Sequence, residues 1–262
     1  MMMPLKPLVR AGERPEHPAA YLRLAMDAPD ARLRAHYAET GLLFPPDPED
    51  RETRLLLLRQ LYRAHLDRSD LEGARAAAEE MVVEGALRDI AHHDHARILS
   101  ALGETRAAIR EQRLAALASP EERRPFQYWT LAAMQHFAGD GDGALASLDH
   151  AERSARTEGP LLRAHRVFVL LDQQKPAGDV DAVLEALDAH PSGRAYGLFL
   201  RGAIEVLRGH RVEGVAALQA FLHRHREASA AQRWTLAAEL DRARELLAQY
   251  GSPGDVGTDA GA

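Results

Sequence analysis

The chain has no cysteine among its 262 residues. Disulfides, thiolate nucleophiles and cysteine-ligated zinc are therefore excluded, and so is a lipid anchor on cysteine. Lysine is nearly absent: only Lys6 and Lys175 occur, so arginine carries almost all of the positive charge. A high-GC genome explains that bias; its chemical consequence is a surface suited to bidentate pairing with carboxylates. Aromatic residues make up only 5%. With alanine, leucine and arginine dominant, this composition suits close helix packing and not a β-sheet. No apolar run approaches the roughly 18 residues of a membrane span. The start, Met1 to Arg10 with Pro4 and Pro7, lacks the apolar core of a secretory signal, so a cytoplasmic location is expected. The net charge of −6 argues against a phosphate-backbone partner; neither a nucleic acid nor a membrane is expected.

What the chain does have is a repeat. Four segments place a small turn before an alanine or glycine that opens an apolar helix: Ser69–Ala74, Gly103–Ala108, Gly139–Ala144 and Gly209–Gly214. A weaker copy is Gly178–Ala182. Measured between Ala74, Ala108, Ala144, Ala182 and Gly214, the steps are 34, 36, 38 and 32 residues, the period of stacked helical hairpins.

Three regions are expected: a lead-in and short helical cap over 1–48, a helical array over 49–250, and a disordered tail over 251–262, which has nothing to bury. Pro18–Glu39 reads as two short helices, and Phe44-Pro45-Pro46-Asp47-Pro48 as a hinge that cannot be helix interior. From Arg51 the helices alternate in five pairs: Arg51–Asp67 with Leu71–Val83, Ala86–Ala101 with Thr105–Ala118, Arg124–Phe137 with Gly143–Ala155, Leu161–Gln174 with Val180–His190, and Arg194–Arg208 with Val212–Arg226. A last helix, Ala230–Tyr250, carries Trp234, Ala237, Leu240, Ala243 and Leu247 as one apolar stripe, fitted to be a lid or a seam for self-association. The fourth copy has a longer turn, Gln174–Gly178, where an irregular joint is expected.

The hairpins resemble tetratricopeptide repeats over about Arg51 to Arg226. Small residues stand where that family crosses its two helices (Ala96, Ala132 and Gly202) and early in the second helix (Ala74, Ala108, Ala144 and Gly214). Ala115 and Ala151 match a third small position that Met81 and Phe221 break, and Pro120 matches a helix-ending proline. The resemblance implies an all-α, right-handed α-solenoid of about five hairpins, with an amino-terminal helical cap and a carboxyl-terminal capping helix. It also implies a concave groove lined by the first helix of each pair. Threaded that way, Arg59, Arg63, His93, Arg97, Trp129, Ala133, His136, Tyr196, Phe199 and Ala203 point inward. The strip runs from basic to aromatic and implies a peptide with acidic residues at one end and apolar ones at the other. Arg63 stands where carboxylate-clamping members carry asparagine, so that clamp is not implied.

Signals for catalysis are sparse. His92 and His95, three apart in His92-His93-Asp94-His95, could face one metal, but a further ligand from elsewhere is required. Gly139-Asp140-Gly141-Asp142-Gly143 resembles half a calcium loop and is better read as a turn with Asp142 capping a helix. No phosphate loop or nucleophile elbow is present, and no cofactor is expected. The expectation is a non-enzymatic adaptor or scaffold for a protein or peptide partner. A metal-dependent hydrolase at His92 and His95 is the alternative, and self-assembly through the terminal helix is the third reading.

Overall fold

The computed structural model describes residues 15–251. The lead-in up to residue 14 and the tail from residue 252 lie outside the described residues. Among those described there are fourteen α-helices and no strand, and the helices pack consecutively in neighbouring pairs.

The chain divides into two compact units, up to residue 118 and from residue 119. Unit 1 holds α1 (Pro18–Met26), α2 (Ala31–Leu42), α3 (Arg51–Asp67), α4 (Leu71–Glu84), α5 (Arg88–Ala101) and α6 (Thr105–Ala118). Here α3 pairs with α4 and α5 with α6, while α1 and α2 pack on each other and on α3. The α1–α2–α3 contact is close: a Cβ on Gly41 would come within 2.9 Å of both Tyr21 Cβ and Leu57 Cδ2. Unit 2 holds α7 (Arg124–Phe137), α8 (Gly141–Ser154), α9 (Gly159–Asp172), α10 (Val180–Ala189), a 3₁₀ turn (Pro191–Arg194), α11 (Tyr196–Leu207), α12 (Arg211–Arg224), α13 (Ala230–Thr235) and α14 (Ala237–Tyr250).

The repeat is written most regularly in the backbone. The amides of Asp70, Glu104, Asp140, Lys175 and His210 each donate to the carbonyl five residues back, over 2.8 to 2.9 Å. The residue before each amide has positive φ: Ser69, Gly103, Gly139, Gln174 and Gly209. This is the left-handed close of a helix that satisfies its last carbonyls. The five positions are 34, 36, 35 and 35 residues apart. The steps of 38 and 32, counted between second-helix residues, reflect one insertion at the fourth turn, the irregular joint expected there. The fourth turn closes at Gln174 and not at Gly178, and four extra residues then precede α10. The chain keeps its period in the first helices and absorbs the insertion in the second.

Small residues sit where helices cross. Ala96, Ala132, Ala74 and Ala144 are fully buried. On the last pair, a Cβ on Gly202 would lie 2.6 Å from Leu218 Cγ, and one on Gly214 would lie 2.7 Å from the backbone nitrogen of Val206. Met81 and Phe221, which break the small-residue pattern, are themselves fully buried.

Several helix limits shift by one or two residues from expectation, and two differences change the chemistry. The third pair's second helix begins at Gly141, capped by Asp140, which accepts the Gly143 amide at 2.9 Å. Asp142 is not the cap: its carboxylate pairs with Lys175 at 2.8 Å. The terminal helix is not continuous. It breaks at Leu236, and Ser229 with Gln232 forms a reciprocal cap on the short α13, which buries nothing. The core is joined by Leu240, Ala243 and Leu246 of α14, which cluster with Phe199, Leu218 and Phe221.

Candidate binding surfaces

In unit 1 the polar face is built by α3 and α5. Arg59 Nε donates to Asp94 Oδ2 at 2.6 Å, with the Asp94 side chain only 8% exposed. Tyr62 is buried beside this pair; burial first, and then the Asp94 charge, push its hydroxyl pKa above the usual phenol range. His93 is half-buried, with Nδ1 3.0 Å from Gln112 Oε1; burial lowers its pKa below the usual imidazole value and favours the neutral ring. Arg63, one turn beyond Arg59, is exposed, and Arg97, one turn beyond Asp94, is half-buried. Neither forms an ion pair or hydrogen bond with another described residue. The face thus holds one compensated guanidinium and two uncompensated ones.

His92 and His95 lie elsewhere on α5, where both approach Glu111 of α6: their Nδ1 atoms are 2.7 and 3.3 Å from its Oε2. Among the described residues, no group of three or more histidine or acidic side chains is arranged to hold a metal ion. His92 hydrogen-bonds Glu111 between the two packed helices, and both ring nitrogens of His95 are buried without a hydrogen-bond partner.

In unit 2 the corresponding helices are α7, α9 and α11. Trp129, half-buried, donates its indole N–H to His165 Nδ1 at 2.8 Å and meets Tyr196 edge-on at 4.8 Å between centroids. His165 is fully buried; burial, and then the neighbouring His136, lower its pKa to about 3. Its Nδ1 accepts, so its proton is on Nε2, a buried atom with no partner. His136 is buried, with Nε2 3.2 Å from Asp172 Oδ2. Asp172 in turn accepts Arg242 of α14 through Oδ1 at 2.7 Å. The His136 hydrogen bond is the largest cause of a lowered Asp172 pKa, with the Arg242 charge adding to it. Tyr196 donates its hydroxyl to Glu239 Oε1 at 3.3 Å.

The threaded strip needs correction at three residues. Phe199 is fully buried against Phe137, Phe168 and Phe221 and touches no solvent; Ala203 and Ala133 are buried as well. The reason is α14. It packs on α11 as well as α12, and its Glu239 and Arg242 reach Tyr196 and Asp172, so the face that threading left open is covered. Of the expected terminal stripe, Leu240 and Ala243 are buried within the unit, while Trp234, Ala237 and Leu247 are half-buried. Sequence reading assigned no groove role to Asp94, His165, Asp172, Glu239 or Arg242. The period itself carried the signal for two of them, since His165 and Asp172 each lie 36 residues after the partner they bond.

Neither a protein-family model nor a curated protein matches the chain. No helix among the described residues is long and apolar enough to cross a membrane.

Proposed function

We propose that this chain is a non-enzymatic adaptor of the tetratricopeptide-like kind, a right-handed array of hairpins between an amino-terminal cap and a terminal helical lid. It holds an acidic peptide or protein segment on the α3/α5 face of unit 1. The observation that carries the reading is the pair Arg63 and Arg97, two guanidiniums without carboxylate partners among the described residues. They stand beside an Arg59 that already has one. Arginine forks of this kind recognise carboxylates bidentately, and arginine is enriched at binding hot spots. Regularly spaced turn closures support a repeat scaffold, whose use is surface and not chemistry.

The test is binding of fluorescein-labelled glutamate-rich peptides to the full chain and to an Arg63→Glu/Arg97→Glu variant. Arg59 is left intact because its reversal would place a carboxylate against Asp94. The expected result is affinity lower by at least about tenfold in the variant at low salt, with unchanged helicity. Equal affinity for both proteins would overturn the assignment.

A further inference from the structure

The α3/α5 face of unit 1 holds a donor that its own helices leave unused. Tyr62, three residues after Arg59 and next to Arg63, is only 5% exposed, and its hydroxyl hydrogen-bonds no other described residue. The hydroxyl oxygen is not sealed from solvent, so a ligand can reach it. The charges of Asp94, Arg97 and Arg59 all act on it, which places the O–H among the charged side chains of the face. Burial raises its pKa and keeps it protonated at neutral pH. It is therefore a neutral donor awaiting an acceptor.

The charge of the face points to the kind of acceptor. Arg59, Arg63 and Arg97 bring three positive charges and Asp94 one negative, which leaves +2. His93, held neutral by burial, adds none. The next carboxylate along α3, Asp67, is already taken by Arg34 at 2.5 Å. A single glutamate would answer half of that charge and offer two oxygens. A phosphomonoester at neutral pH carries close to two negative charges and three strong acceptor oxygens. Those suffice for the two uncompensated guanidinium forks and for the Tyr62 hydroxyl together.

We propose that the acidic group selected by this face is a phosphomonoester, carried by a phosphoserine or phosphothreonine of the bound segment. The inference rests on the acidic-segment reading given above and narrows it. Arg63 and Arg97 supply the charge, and Tyr62 sets the specificity by donating to a third oxygen that a carboxylate lacks.

Fluorescence anisotropy on the full chain tests the site with three forms of one fluorescein-labelled, glutamate-rich peptide. Its central residue is phosphothreonine, glutamate or threonine. The phosphothreonine form is expected to bind at least about tenfold tighter than the glutamate form, with the threonine form weakest. Tyr62→Phe keeps the buried ring and removes only the unpartnered O–H, so helicity and melting should be preserved. That variant is expected to bind the phosphothreonine form several-fold more weakly and to keep the glutamate form within about twofold. Unlabelled phenyl phosphate, added as a competitor, separates a phosphorylated segment from a free phosphomonoester. Displacement only at millimolar concentration supports the segment; displacement as effective as that by the phosphopeptide would overturn it as the carrier. Equal affinity for the phosphothreonine and glutamate forms, or an equal loss of both in Tyr62→Phe, would overturn the inference and leave the acidic-segment reading standing. Binding of none of the three forms would overturn both.

Discussion

Trp129 on α7 donates its indole N–H to Nδ1 of His165 on α9, 36 residues later, over 2.8 Å. One hydrogen bond thus joins the first helices of two successive hairpins and fixes the tautomer of a buried imidazole. His136 and Asp172 repeat the relationship at the same separation.

A pH dependence follows. The His165 pKa is lowered from 6.5 to about 3 by folding. Above 6.5 neither folded nor unfolded chain binds this proton, and the contribution to stability is whole. As pH falls below 6.5 the unfolded chain takes up a proton that the folded chain refuses, and stability is lost progressively until about pH 3. At pH 5 the loss from this group is about 2 kcal/mol. Urea titrations at pH 7 and pH 5 would check it against His165→Asn, which keeps an acceptor for Trp129. The wild-type chain should lose about 2 kcal/mol more than the variant; equal losses would assign the pH dependence to other groups.

Arg59 and Arg63 are one helical turn apart yet should behave differently. Arg59→Ala strips the Asp94 carboxylate, whose side chain is 8% exposed, of its cation. The expected cost is about 1–2 kcal/mol, the lower part of the range for such a loss because Arg59 itself is 37% exposed. Arg63→Ala removes an exposed side chain without a partner and should stay within about 0.5 kcal/mol. Chemical denaturation of the two single variants measures the contrast.

At the α11–α12 crossing the backbones are too close for a methyl group. Gly202→Ala would place its Cβ 2.6 Å from Leu218 Cγ and 2.9 Å from the Leu218 backbone nitrogen. The side chain can yield but the backbone atom cannot without shifting the helix. Destabilisation of about 1–3 kcal/mol is expected, read as a lower urea midpoint with unchanged slope. Ala96 and Ala132, at the matching places in earlier hairpins, are themselves alanines and fully buried, so among these three hairpins only the last crossing requires glycine.

Much of this architecture was legible in sequence because turn chemistry and small residues are local signals. The limits of α3, α6 and α7 follow from a proline or acidic start and an apolar stripe. The long, irregular fourth turn was legible in Gln174–Gly178, but its left-handed close was not, because Gln174 stands there where the other turns carry serine or glycine, four residues before the equally left-handed Gly178. The binding face was legible only in part. Whether Phe199 meets solvent depends on where α14 packs, a contact more than 40 residues away in sequence that no local pattern encodes. The carboxylates that answer Arg59 and His136 are long-range in the same way, 35 and 36 residues distant.

Gln174 and Gly209 offer a pair of variants with opposite signs. Gln174 has φ 55°, a conformation costing a non-glycine residue roughly 1–2 kcal/mol, and its side chain makes no hydrogen bond with another described residue. Gly209 closes the following turn at φ 89°, and a Cβ there would meet nothing within 4 Å. Backbone preference is therefore the whole difference between the two sites. Gln174→Gly should relieve the strain but widen the unfolded ensemble, for a net gain of about 0.5–1 kcal/mol. Gly209→Ala should cost about 1 kcal/mol with no steric contribution. Denaturation midpoints moving in opposite directions would establish that both turns close by the same left-handed geometry. A loss of stability in Gln174→Gly would show instead that the Gln174 side chain is engaged and that the fourth turn is held by different forces.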